Sequence, residues 1–191
     1  MPGHPDQQLF LFLNSLNSPF FDQVMWIISA VYIWIPLYLA ILVALAMKYK
    51  KKILVIILMI ILAITLSDQI SVIIKNSVHR LRPSHDPALS GIVHIVKDYR
   101  GGLYGFVSSH AANSFMVAVF SLLLLRKRWF TWCILLWALV VSYSRIYLGV
   151  HYPGDVICGS LLGASIGWCI FALYRYIDNN LIPRSKFFSS M

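Results

Sequence analysis

Charge is what this chain has least of. Only 12% of its 191 residues are Asp, Glu, Lys or Arg, against 59% hydrophobic residues and a mean hydropathy of +0.75. That balance excludes an ordinary soluble domain and matches a protein that crosses a membrane several times. Cysteine is also scarce. Cys133, Cys158 and Cys169 all fall inside apolar runs, and an odd number of lipid-buried thiols does not make a disulfide framework. The start of the chain has neither the charged opening nor the small-residue cleavage site of a secretory signal. No internal repeat or low-complexity stretch is evident, and the longest polar stretch runs from Asn76 to Ser109. At this length one compact unit is expected, a single membrane-embedded domain over residues 1–191.

What is present is a series of apolar runs, each near the roughly 20 residues that span a bilayer's hydrocarbon. They predict an all-α fold, a multi-spanning transmembrane helical bundle. The expected spans are Val24–Met47, Ile53–Ile74, His110–Leu125, Trp129–Tyr143 and Val156–Tyr174. Ahead of them, "QQLFLFLNSLNSPFFD" is apolar but short and broken by Asn and Pro, so it reads as a helix lying in the interface. In "GSLLGASIG", Gly159, Gly163 and Gly167 recur every fourth residue. That small-residue stripe allows helices to approach closely in lipid.

The basic residues are unevenly spread. With regular alternation, Lys48, Lys50, Lys51, Lys52, Arg126, Lys127, Arg128, Arg175, Arg184 and Lys186 fall on one side. That side is then cytoplasmic by the positive-inside rule. The other side keeps Lys75, Arg80, Arg82, Lys97, Arg100 and Arg145, together with His4, His79, His85, His94, His110 and His151. The net charge of +9 therefore reports topology, and no nucleic-acid partner is expected.

Outward-facing segments carry the chemistry: "KNSVHRLRP" (Lys75–Pro83), "VSSH" (Val107–His110) and "SRIYLGVHYPGD" (Ser144–Asp155). Lys75, Arg82 and Arg145 supply positive charge, with the planar Arg fork suited to phosphate oxygens. Ser108 and nearby backbone N–H groups add donors at a helix mouth. The whole is an anion site with phosphate as its expected occupant. His151 and Asp155 stand four apart, a spacing that lets the carboxylate accept a hydrogen bond from one ring nitrogen and leaves the other as nucleophile. His110 can then protonate the departing oxygen and later activate water. This scheme needs no metal or other cofactor.

These stretches resemble the three-part signature of the type 2 phosphatidic acid phosphatase superfamily. That signature reads Lys, six residues, Arg-Pro; then Pro-Ser-Gly-His; then Ser-Arg, five residues, His, three residues, Asp. The first and third parts match at every defining position. In the second, Val107 stands for Pro and Ser109 for Gly, so donor geometry there differs from the family's. The resemblance implies that His151 is the nucleophile, Asp155 its orienting partner and His110 the general acid. It implies that Lys75, Arg82, Ser108 and Arg145 bind phosphate; Ser109, which departs from the pattern, is a further phosphate-binding candidate that either compensates through its hydroxyl or merely tolerates the turn. The implied activity is hydrolysis of a phosphorylated membrane lipid through a phosphohistidine, in a bacterial inner membrane with the site facing the periplasm. Lipid A is the favoured substrate. Undecaprenyl diphosphate, other phospholipids and transfer to an acceptor other than water are alternatives.

Other readings of the same residues are weaker. A zinc site from His79, His85, Asp86, His110 and His151 has no compact ligand motif and would sit among cations. A transporter would place polar residues near the midplane of broken helices, whereas only Asp68 is buried there. Asp68 shares a helical face with Ser71 and Lys75 and is a candidate partner for Lys75 or Arg145. Lys97 and Arg100, in the loop between the first two motifs, are candidates for contacting a second phosphate on the substrate.

Overall fold

Proline marks where the helices begin. It lacks the N–H that a helix's first turn leaves unpaired, and its fixed φ suits that position. The computed structural model describes residues 4–180, which carry seven α-helices. Four open at or next to a proline: α1 (Pro5–Ser15), α2 (Pro19–Ser29), α3 (Ile35–Tyr49) and α7 (Pro153–Asn180). The others are α4 (Ile53–Val78), α5 (Ser109–Leu125) and α6 (Arg128–Tyr147). Short 3₁₀ turns fill Val31–Trp34, Lys50–Lys52 and three places between α4 and α5.

Helices α3 to α7 form the bundle. The stretches Val31–Val78, Arg128–Tyr147 and Pro153–Asn180 are long and apolar enough to cross a membrane, and the first is folded back at Lys50–Lys52 into α3 and α4. α5 is apolar but shorter. Outer faces expose large hydrophobic side chains such as Leu58, Ile61, Trp132, Leu136 and Leu161, as a lipid-facing surface requires. The interior cluster joins Ile41 and Leu45 of α3, Ile56 and Met59 of α4, Phe120 of α5, Trp137 of α6 and Ile170 of α7.

α5 and α7 run parallel and touch backbone to backbone. A Cβ on Gly159 would stand 2.5 Å from the Ser108 carbonyl oxygen, and one on Gly167 would stand 2.8 Å from that of Met116. One on Gly163 would overlap the Ala112 carbonyl. The glycine stripe thus lays α7 along α5, with both helices starting at the same end.

At the opposite end the basic turns converge. Lys48 Nζ donates to the carbonyls of Leu124 and Leu125 at 2.8 and 2.9 Å, satisfying acceptors that the end of α5 leaves open. Lys52 pairs with Asp178 at 2.5 Å. Arg184 and Lys186 lie outside the described residues.

The first expected span is not one helix. Residues 24–29 belong to α2, Ala30 is extended, and α3 begins only after the 3₁₀ turn. A helix continued through Pro36 would drive its ring into the carbonyl four residues earlier. The other four expected spans fall within α4 to α7, which extend beyond them by up to six residues. The N-terminal apolar stretch forms α1 and the start of α2. α1 lies across the end where α5 and α7 begin, with Phe10 fully buried and stacked edge-on against Tyr152 at 5.4 Å.

Candidate functional site

α4 ends when His79 turns left-handed at φ 54° and closes its last turn on the Lys75 carbonyl. The chain then runs extended past residues 103–105. Leu81 and Tyr104 form an antiparallel bridge, the Arg82 N–H donates to the Leu103 carbonyl at 3.1 Å, and the Gly105 N–H donates to that of Arg80 at 2.8 Å. This short ladder aims Arg82 inward. Its Nε donates to the Tyr104 carbonyl at 3.1 Å, and one terminal nitrogen reaches the Val150 carbonyl at 3.3 Å and His151 Nε2 at 3.1 Å.

His151 sits in the turn between α6 and α7. The N–H groups of Val150 and His151 both donate to the Arg145 carbonyl, at 3.1 and 3.2 Å, so the turn carries Arg145 and His151 as one unit. Both are buried, as is Asp155. Because a guanidinium only donates, Nε2 must present its lone pair, which leaves the ring proton on Nδ1. Nδ1 faces Asp155 Oδ2 at 3.5 Å, too far for a completed hydrogen bond. The carboxylate's nearer partners are the Tyr152 N–H at 3.0 Å on Oδ2 and Arg80 at 2.8 Å on Oδ1. Burial first, then the charges of Arg82, Arg145 and Lys75, hold His151 well below the usual imidazole range. At neutral pH the ring is uncharged.

The other expected residues gather round this pair. Lys75 Nζ donates to Ser109 Oγ. Ser108 is fully buried and caps α5, its hydroxyl accepting from the Ala111 N–H at 3.5 Å, while its own N–H donates to the Asp155 carbonyl at 3.0 Å. Arg145 donates to Ser29 Oγ and, at 3.4 Å, to the Tyr99 hydroxyl. His110 and Ser109 lie on the wall of a cavity of about 480 Å³ that continues down the bundle past Asp68, Asn113 and Phe120. Two helix N-termini, those of α5 and α7, open onto the same end and add partial positive charge.

Some expectations land elsewhere. Among the described residues no group of three or more His, Cys, Asp or Glu is placed to hold a metal ion. Lys97 sits over the Trp26 ring at 5.0 Å, and Arg100 donates back to the Ser84 carbonyl at 3.3 Å. Asp68 faces the cavity rather than making a direct bond to Lys75 or Arg145. Residues missed by sequence reasoning include Arg80 and Gly105. A Cβ on Gly105 would lie 2.9 Å from Asp155 Oδ2 and 3.2 Å from Arg82 Cγ, so only glycine fits between them. "RGGLYG" holds three glycines, and nothing in the string singles out the third.

Fold and site together define an all-helical, multi-spanning membrane protein with a cationic, histidine-bearing pocket at one end of its bundle. A family model described as the PAP2 superfamily matches residues 53–179. The chain is 42% identical to a lipid A 4'-phosphatase of Bacteroides thetaiotaomicron, over 94% of this chain and 79% of that protein. It is 36% identical to a lipid A 4'-phosphatase of Porphyromonas gingivalis, over 94% and 77%. Among solved structures, Aquifex aeolicus LpxE superposes with a TM-score of 0.71 at 26% identity, covering 90% of this chain and 97% of that one. The chain belongs to the PAP2 superfamily and is a membrane phosphatase.

Proposed function

We propose that the chain removes a phosphate from lipid A at the periplasmic face of the bacterial inner membrane. Likeness to two lipid A 4'-phosphatases along nearly the whole chain supports the substrate, and the 4' phosphate is the position proposed. The basic turns gathered at the far end of the bundle support the orientation.

One observation carries the chemistry: the contact that fixes the lone pair of His151 on Nε2, with Nδ1–H turned toward Asp155. A phosphate oxygen entering the pocket takes over the Arg82 hydrogen bond and frees Nε2. The lone pair attacks phosphorus, the bond to the sugar oxygen breaks, and His110 gives that oxygen its proton. Water then attacks the phosphohistidine, His110 takes a proton from it, and the P–N bond breaks to release phosphate. Arg82, Arg145 and Lys75 stabilise charge on the equatorial oxygens throughout, with Ser108 and Ser109 as neutral donors. Asp155 offsets the positive charge that the imidazole carries while phosphorylated.

Purified protein in detergent, incubated with lipid A, undecaprenyl diphosphate and phosphatidate, should release phosphate fastest from lipid A. His151→Ala should lower that release by more than about a thousandfold, as loss of a covalent nucleophile does. Turnover retained by the variant would remove His151 from its role, and faster release from undecaprenyl diphosphate would reassign the substrate.

A further inference from the structure

Arg80 stands outside the phosphate-binding set, yet it makes the shortest side-chain contact to Asp155. One terminal nitrogen donates to Asp155 Oδ1 at 2.8 Å and the other to Asp6 Oδ2 at 2.5 Å. Its guanidinium lies 4.2 Å from the centre of the Tyr152 ring. Asp6 is engaged twice, because its Oδ1 accepts from the Gly154 N–H at 2.8 Å, in the first turn of α7. The Tyr152 hydroxyl is anchored in turn on Asp86 at 2.7 Å. Asp6 belongs to α1 and lies outside residues 53–179, the part matched by the family model.

We infer that Arg80 and Asp6 form a brace that positions Asp155, making α1 a working part of the site. This rests on the proposed role of His151 as nucleophile. A carboxylate is free to rotate about its last bond. With Oδ1 gripped by Arg80 and Oδ2 by the Tyr152 N–H, rotation is blocked and Oδ2 is presented to His151 Nδ1. Asp6 fixes the Arg80 fork and the start of α7 against each other, so the carboxylate and its clamp move as one body. Arg80 makes no hydrogen bond to the His151 imidazole, and both its donor ends point at carboxylates rather than into the space beside Nε2. It is therefore a positioning residue.

The test uses the full-length protein and p-nitrophenyl phosphate, a monoester that needs no lipid recognition. Arg80→Gln should lower kcat by about 10- to 100-fold, the scale seen when a partner that orients a functional group is lost. KM and inhibition by inorganic phosphate should stay within about twofold. Arg80→Lys should restore part of kcat, and Asp6→Asn should lower kcat by a smaller factor. The double variant Asp6→Asn/Arg80→Gln should be no worse than Arg80→Gln, since two members of one network do not act independently. An increase in KM at unchanged kcat would make Arg80 a substrate ligand and overturn the brace. Wild-type kcat in Arg80→Gln, or effects that multiply in the double variant, would overturn it too. His151→Ala runs alongside, because turnover there would overturn the nucleophile assignment itself, whatever Arg80 does.

Discussion

Burial and the charges of Arg82, Arg145 and Lys75 all act on His151 in one direction. Protonating the ring would add a cation to a pocket that already holds three, so the imidazole stays neutral as pH falls through its ordinary value near 6.5. It takes up a proton only at lower pH. Ring-¹⁵N NMR of the protein in micelles should therefore find His151 neutral at pH 6. Arg82→Met should move its midpoint upward, by removing both a repelling charge and the donor that favours neutral Nε2. A wild-type midpoint at or above 6.5 would contradict this. At this scale the sequence anticipated which residues lie together wherever they sit at a fixed spacing inside one short segment, as with Lys75 and Arg82 or His151 and Asp155. Arg80 was not, because its meaning depends on Asp6, 74 residues away. The role of Gly105 is equally invisible, since it depends on side chains from two other segments.

The contact between α5 and α7 is a matter of backbone clearance. Gly163 faces the Ala112 carbonyl with no room for a methyl group, whereas a Cβ on Gly102 would meet nothing within 4 Å. Gly163→Ala should destabilise the protein by about 1–3 kcal/mol, the usual cost of overpacking, read as a lower Tm in detergent. Gly102→Ala should leave Tm unchanged, and equal behaviour of the two variants would show that the helices can part without cost. The stripe was readable because four-residue recurrence of glycine has one structural meaning in an apolar helix. The break at Ala30 was harder to see. Hydropathy runs unbroken from Val24 to Met47, and the only sign of a new start is Pro36, at the first turn of α3.

Across the whole molecule, polarity is divided between two ends. One gathers Lys48, Lys52 and their carbonyl and Asp178 partners, and the other gathers the pocket. The chain's charge pattern anticipated this division, since each reversal of direction exchanges a basic turn for a histidine-bearing one. What it could not supply is the position of α1 at the pocket end, because α1 is held there by long-range contacts such as Asn14 to the Tyr147 carbonyl at 2.8 Å. The orientation is testable at Ser90, an exposed position on the pocket side. A cysteine there, with Cys133, Cys158 and Cys169 replaced, should react with an impermeant maleimide added to intact spheroplasts. Labelling only after lysis would reverse the topology.

The hydrogen bond from Arg82 to Nε2 bears on which esters the enzyme ignores. At rest the lone pair proposed to attack is already occupied, and a newcomer must offer Arg82 something better than a neutral nitrogen. A dianionic monoester does so readily, through charge-assisted hydrogen bonds. A diester, with one negative charge and a second bulky arm, has less to offer. Abundant phosphodiester lipids in the surrounding bilayer would then leave the resting contact closed, and discrimination against them would come before any chemistry, at the step of displacing one guanidinium.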